Sequence, residues 1–328
     1  MRAARLSLAL ETATFVPPDD GTILILRPRA GDDLSDLPKD RLHVVTGFKP
    51  DHDWFSSRGY RTSGNPDAQY GAALVCLPRA RDAARALLAQ AAGAVRPGGP
   101  IALDGQKTDG IDAVIKELRG RVALSPALSK AHGKLAVFAA GPDLSDWAAR
   151  PVLVDGFQTL PGVFSADGVD RGSALLAAAL PEAIKGRVAD LGAGWGYLSQ
   201  AVLQRAGVRE CHLIEAEADA LDCARANITD PRARFHWADA TEWKAPHSFD
   251  MVVMNPPFHA GREADVGLGI AFLTAAARLL HPQGELWLVA NRHLPYDRTL
   301  QTLFRNVQDK GGDAVFRVTH ATHPIRPR

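Results

Sequence analysis

From about Leu153 onward, short apolar runs alternate with longer stretches in which apolar residues recur every three or four positions. The short runs read as strands and the longer stretches as amphipathic helices. Strands are predicted at Arg187–Leu191, Glu210–Glu215, Ala233–Trp237, Phe249–Met254 and Glu285–Ala290. Helices are predicted at Tyr197–Ala206, Glu217–Ile228 and Val266–Leu280, each with a Gly, Pro or Asp near its end. Strand and helix in alternation imply an α/β fold around a parallel sheet. A last apolar run, Gly312–Thr319, is expected to add antiparallel at the sheet edge.

The front half shows the same plan more faintly. Ala72-Ala-Leu-Val-Cys-Leu-Pro78, a helix through Ala91 and Arg96-Pro-Gly-Gly-Pro-Ile-Ala-Leu103 parallel the later Met251–Pro257, a helix through Leu280 and His281-Pro-Gln-Gly-Glu-Leu-Trp-Leu288. Such self-similarity predicts an internal duplication. The polar, proline-bracketed segment Gly141–Pro151 is the expected linker, dividing the chain into domains 1–150 and 151–328. A length of 328 residues, 46% hydrophobic, also suits two domains.

Charge changes the picture little. Residues 1–150 carry 20 Lys+Arg against 17 Asp+Glu and the remainder 18 against 20, for a net +1, so any nucleic-acid contact must come from a local patch. Cys76, Cys211 and Cys223 lack metal-ligand spacing and read as small buried apolar residues of a reducing compartment. His320 and His323 have no third ligand nearby in sequence, and no metal is expected. The apolar start Leu6–Leu10 is cut short by Glu11, and no run is long enough to span a membrane, so a soluble cytoplasmic protein is expected.

Candidate chemistry lies in two loops. In Val188-Ala-Asp-Leu-Gly-Ala-Gly-Trp-Gly196 a strand feeds a glycine turn. Gly192, Ala193, Gly194 and Gly196 let backbone approach a ligand closely at a helix start. Asp190 precedes the glycines, and Glu215-Ala216 ends the next strand, where an acid accepts ribose hydroxyls. Dinucleotide binding competes, but Gly-x-Gly-x-Gly spacing and an acid suited to an amine favour S-adenosylmethionine. Asp239-Ala240, after the third strand, is the expected adenine contact, with an ordinary loop role as the alternative.

The second loop is Asn255-Pro256-Pro257-Phe258, closing the strand Phe249–Met254. The Asn255 oxygen and the Pro256 carbonyl can accept both N–H groups of a planar exocyclic amine, aiming its lone pair at a methyl donor. Pro257 stiffens the turn and Phe258 offers a stacking face. No metal or covalent intermediate is required. His259 and Arg262 follow, as base or phosphate contacts or as plain loop residues.

These residues resemble the bacterial ribosomal RNA small-subunit methyltransferase C family, a guanine-N2 group, together with its large-subunit counterpart, methyltransferase G. The resemblance rests on Leu160-Pro-Gly-Val-Phe-Ser-Ala-Asp-Gly-Val-Asp-Arg-Gly-Ser173, Asn255-Pro-Pro-Phe-His259 and Ala290-Asn-Arg-His-Leu-Pro-Tyr296. It implies two tandem Rossmann-like class I methyltransferase domains, the N-terminal one degenerate and assisting RNA engagement or folding. It places Phe164, Ser165 and Asp170 near the cofactor. The implied partner is ribosomal RNA or the small subunit, met as a monomer, with 16S RNA as the leading substrate. Methylation of 23S guanine, of adenine N6 or of a protein glutamine, and a ribosome-assembly role with little turnover, remain as alternatives.

Overall fold

Apolar runs separated by helices suit a sheet that is covered, and so kept from water, on both faces, and this chain builds such a sheet twice. The structure is a computed structural model that describes residues 2–257, 259, 260, 263, 264 and 266–326. The chain divides into two units, Met1–Pro151 and Val152–Arg328.

In the front unit the strands are β1 (Ile23–Leu26), β2 (Leu42–Val45), β3 (Arg61–Ser63), β4 (Ala72–Cys76), β5 (Pro100–Gln106), β6 (Leu128–Lys130) and β7 (Gly133–Ala139). Their order across the sheet is β3-β2-β1-β4-β5-β7-β6. β1 to β5 pair parallel, and β7 runs antiparallel to both β5 and β6. Helices α1 (Arg2–Glu11), α2 (Lys49–Ser57), α3 (Arg81–Ala94) and α4 (Ile111–Leu118) complete the unit. Alternation along β1 sends Leu24 and Leu26 into one apolar cluster and Ile23 and Ile25 into the other, as a two-residue period requires.

The back unit begins with a hairpin, β8 (Val152–Val154) and β9 (Phe157–Thr159), followed by α5 (Arg171–Ala179), β10 (Ala183–Leu191), α6 (Tyr197–Leu203), β11 (Ala206–Glu215), α7 (Ala218–Asn227) and β12 (Ala233–Trp237). Then come β13 (Phe249–Met254), a small hairpin of β14 (His259–Ala260) and β15 (Glu263–Ala264), α8 (Val266–Leu279), β16 (Leu280–Asn291), α9 (Asp297–Leu303), β17 (Phe304–Gly312) and β18 (Phe316–Pro324). The order β12-β11-β10-β13-β16-β18-β17 and its parallel and antiparallel pairings repeat the front sheet strand for strand. The faint sequence repeat is thus a repeat of topology.

Two expectations are corrected. The last apolar run forms β18, but β18 lies inside the sheet between β16 and β17, and β17 is the edge. The β17 run Phe304-Arg-Asn-Val-Gln-Asp-Lys-Gly-Gly312 is mostly exposed, so it carries little apolar signal. The segment 141–151 is not a free linker either. Trp147 packs into the front core, with the guanidinium of Arg121 4.8 Å from its ring centroid.

The sheet order also fixes where a ligand fits. From β10 the chain moves outward to β11 and β12, then crosses back to β13 on the other side of β10. Ligand-binding crevices open at such a reversal, outside the carboxyl ends of the strands. Leu191 pairs with both Ile214 and Met254, so the turns after β10, β11 and β13 lie side by side. No described helix is long and apolar enough to cross a membrane.

Candidate functional site

The turn after β10 runs through three left-handed glycines, Gly192 (φ 75°), Gly194 (φ 55°) and Gly196 (φ 95°), a region that side chains rarely adopt. A Cβ on Gly194 would meet nothing within 4 Å, because this residue faces open cleft. Its N–H donates to Glu215 Oε2 at 2.7 Å, and the Glu217 N–H donates to Glu215 Oε1 at 2.8 Å. The carboxylate ending β11 therefore ties the turn after β10 to the start of α7. Burial pushes the Glu215 carboxyl up, against the pull of these N–H groups.

Asp190 sits beneath the turn with no exposed surface. Its Oδ2 accepts from the Ser199 hydroxyl at 2.7 Å, while Oδ1 is buried without a partner. Burial drives this carboxyl up to about 7; the Ser199 hydrogen bond opposes the shift and the Glu215 charge adds to it.

The segment ahead of α5 forms the opposite wall. Trp195 is buried among Val163, Ala220 and Cys223, and its indole N–H donates to the Phe164 carbonyl at 3.0 Å. Asn227 donates to the carbonyls of Gln158 and Trp195, both at 2.9 Å, and accepts from the Gln158 N–H at 2.7 Å. A bulky residue inside the glycine turn thus pins the leading segment to the sheet. Ser165 takes a positive φ of 53°, and its hydroxyl donates to the Gly168 carbonyl at 2.7 Å. Phe164 remains 61% exposed at the cleft.

Asn255 meets that wall directly, and both line the cleft beside the glycine turn. Its Nδ2 donates to Asp170 Oδ2 and to Ser173 Oγ, each at 2.8 Å. Asp170 also caps α5, accepting the Ser173 N–H at 2.7 Å. An ionised carboxylate only accepts, so the Asn255 amide must turn its nitrogen toward Asp170. Its Oδ1 is left buried without a partner. An unsatisfied buried carbonyl costs about 1–3 kcal/mol, and an incoming N–H would recover it.

Of the sequence-predicted residues, the cleft gathers Phe164, Ser165, Gly192, Ala193, Gly194 and Asn255, with Asp170 among them. Gly196 starts α6, and the Ala216 carbonyl accepts the Trp237 indole N–H at 2.8 Å. Asp239 and Ala240 do not line the cleft. Asp239 Oδ1 accepts from the Thr241 N–H and hydroxyl, at 2.8 and 2.7 Å, and Ala240 packs into the core. Pro256 is buried and Pro257 exposed; Phe258 and Arg262 fall outside the described residues. His320 lies 2.6 Å from Glu285 and stacks on Trp287, apart from His323, which bonds to Asn306 and Thr322. Sequence reasoning missed the roles of Ser173, Ser199 and Asn227, of which Ser199 and Asn227 belong to no recognisable local pattern. The Asp170-x-x-Ser173 spacing at a helix start was the one available signal.

The family model for the methyltransferase small domain matches residues 156–320. The chain is similar to the ribosomal RNA small subunit methyltransferase C of Acinetobacter baylyi, 27% identical over 318 residues, covering 91% of this chain and 94% of that protein. It is 35% identical to the Sodalis glossinidius protein of the same name over 170 residues, 52% of this chain but only about half, 49%, of that relative. A solved structure of a T. thermophilus 16S rRNA N2 methyltransferase, in complex with AdoMet and guanosine, superposes with a TM-score of 0.80 at 26% identity, covering 94% of this chain and 89% of that one.

Proposed function

The chain belongs to the methyltransferase small-domain family, and from that premise we propose that it transfers the methyl group of S-adenosylmethionine to the exocyclic N2 amine of a guanine in 16S ribosomal RNA. The observation that carries this reading is the Asn255 Oδ1 atom, buried, unpartnered and held at the mouth of the glycine-turn cleft. An acceptor held in this way suits an N–H donor such as an aromatic amine.

The residues present suit the cofactor. The open space over Gly194 leaves room for a ligand against the backbone, and Asp190 Oδ1 lacks a partner beneath it. Glu215 would take the ribose hydroxyls, each of its oxygens keeping acceptor capacity beyond the N–H it already holds. When bound, the sulfonium supplies an electrophilic methyl: the N–C bond forms as the S–C bond breaks, and the amine nitrogen releases one proton.

The chain's own part is orientation. Asn255 Oδ1 and the Pro256 carbonyl would each accept one amine N–H, directing the nitrogen lone pair toward the methyl carbon. Removing one preorganised polar contact of this kind costs about 10²–10³ in rate. Phe164, exposed at the cleft, offers a face to the extruded base, a stack worth about 1–3 kcal/mol; the stacking role expected of Phe258 falls outside the described residues.

Guanine N2 is favoured over adenine N6 or a protein glutamine by the guanosine complex of the similar T. thermophilus enzyme, and 16S over 23S RNA by the names of that enzyme and of the A. baylyi relative. The front unit, residues 1–150, is proposed to engage RNA. It lacks a glycine turn, since Arg27-Pro28-Arg29 follow β1 and Leu77-Pro78 follow β4. We place the enzyme in the cytoplasm, acting as a monomer on ribosomal RNA or the small subunit.

Asn255→Ala tests the assignment. Methyl transfer should fall about 10²–10³-fold, with S-adenosylmethionine affinity by calorimetry unchanged. Wild-type turnover in this variant would remove Asn255 from the mechanism.

A further inference from the structure

A second polar cluster lies in the back unit away from the cleft. β11 places Glu210 and His212 two residues apart, on one face of the sheet, and the connection from β12 to β13 brings His247 over them. One donor atom from each of these three residues lies within 4.8 Å of the other two. His212 Nε2 is 3.7 Å and His247 Nε2 4.0 Å from Glu210 Oε2, too long for hydrogen bonds. Both nitrogens are buried without hydrogen-bond partners, and His212 as a whole is 4% exposed.

We propose that Glu210, His212 and His247 form a binding site for a divalent transition metal of the zinc type. Two imidazoles and one carboxylate are a recurrent zinc ligand set, with a fourth position open to water. Metal–ligand bonds of about 2.0–2.2 Å in a tetrahedron set donor atoms about 3.4 Å apart. The two histidine nitrogens therefore need to close on Glu210 by a few tenths of an ångström, and on each other by no more than about 1.4 Å. A bound cation would also satisfy two buried nitrogens that otherwise each cost about 1–3 kcal/mol.

The surroundings support one imidazole as a ligand. His212 Nδ1 lies 3.0 Å from His236 Nε2, with the two rings stacked 8° from parallel. A proton on Nδ1 donated to His236 leaves the Nε2 lone pair directed at the site, as in metal-bound histidines whose other ring N–H is held by a neighbouring acceptor. Trp243 and Phe249 pack on His212 and hold the ring. Arg187 Nε donates to Glu210 Oε2 at 3.1 Å, and Arg234 lies 3.8 Å from Oε1. Both arginines are partly exposed; Arg234 already faces Oε1, and Arg187 would shift to that oxygen when a metal takes Oε2. Along β11 the site is three residues before Glu215, about 10 Å from the cofactor carboxylate. Its role would be to fasten the connection ahead of β13, and with it the strand that presents Asn255.

The test uses full-length, untagged protein stripped with chelator and titrated with zinc chloride alone, followed by calorimetry and elemental analysis. One equivalent should bind and raise the melting temperature. Cobalt(II) in its place should give the visible bands of a tetrahedral site. His212 is buried enough that its loss could disrupt folding, so the variants are His247→Ala and Glu210→Gln, on half-exposed side chains, with circular dichroism matched to wild type. Affinity at least tenfold weaker in both supports the site. Uptake equal to wild type in both variants, or no uptake by the wild-type protein, overturns it. Neither readout depends on methyl transfer.

Discussion

Replacing Asp170 with Asn tests whether a neighbour of the Asn255 amide, rather than Asn255 alone, sets its orientation. Asp170 Oδ2 holds the α5 cap and the Asn255 Nδ2–H at once. Asn is as good a cap as Asp, so Asp170→Asn should leave helix stability nearly unchanged. The bond to Asn255, however, falls from charge-assisted, about 1.5–3 kcal/mol, to neutral, about 0.5–1.5 kcal/mol. That difference of about 1–1.5 kcal/mol is what, in the wild type, keeps the amide from flipping its nitrogen toward the cleft. The remaining contact, Ser173 Oγ, can donate or accept and so does not choose between the two orientations. kcat should therefore fall about twofold or more and by no more than about tenfold, since 1.4 kcal/mol is a factor of ten in the orientation equilibrium. Asp170→Ala should fall further and lose about 1 kcal/mol of stability with the cap. The assay is methyl transfer to small-subunit RNA at saturating S-adenosylmethionine, with cofactor affinity measured separately. Wild-type kcat in Asp170→Asn, or a loss confined to cofactor affinity, would refute the reasoning.

Gly194→Ala should cost about 1–2 kcal/mol of stability for its left-handed φ of 55° while its methyl enters the open cleft. Cofactor affinity by calorimetry should drop tenfold or more; an unchanged affinity would place the cofactor elsewhere. Asp190 is raised to about 7 by burial, so the stability tied to its protonated form is complete below the unfolded carboxyl value near 4 and is lost as pH rises through about 7. A shift of about three units corresponds to about 4 kcal/mol. Urea unfolding of the cofactor-free protein between pH 5 and 8 should show this decline, and Asp190→Asn should flatten it; a wild-type profile that rises with pH would contradict the burial argument.

Much of the back unit was legible because central strands of a doubly covered sheet are continuous apolar runs. The central strand Phe249–Met254 has the predicted bounds, as does the half-buried edge strand Ala233–Trp237, and the glycine turn and Asn255 stand at strand ends where the pattern put them. What escaped depended on contacts far apart in sequence. The edge strand Phe304–Gly312 is polar because one side faces solvent, so it carries no apolar signature. Nothing local says that Asp170 will reach Asn255 or that Trp195 will donate to Phe164, since 85 and 31 residues separate the partners. Asp239, expected at the adenine because it follows a strand end, also closes a local turn through Thr241, a contact its Asp-x-Thr spacing allows. Glu210 and His212 were read only as strand residues; their convergence with His247 requires the β12–β13 connection to fold back over β11.

The central claim is tested most directly by incubating the purified protein with S-adenosylmethionine and 30S subunits or 16S RNA from a strain lacking it, then analysing the nucleosides by mass spectrometry. The account predicts one N2-methylguanosine per 16S molecule, absent from the strain and restored by the wild-type protein but not by Asn255→Ala. Methylation appearing instead in 23S RNA, on adenine or on protein, or none at all with a cofactor-binding enzyme, would contradict it.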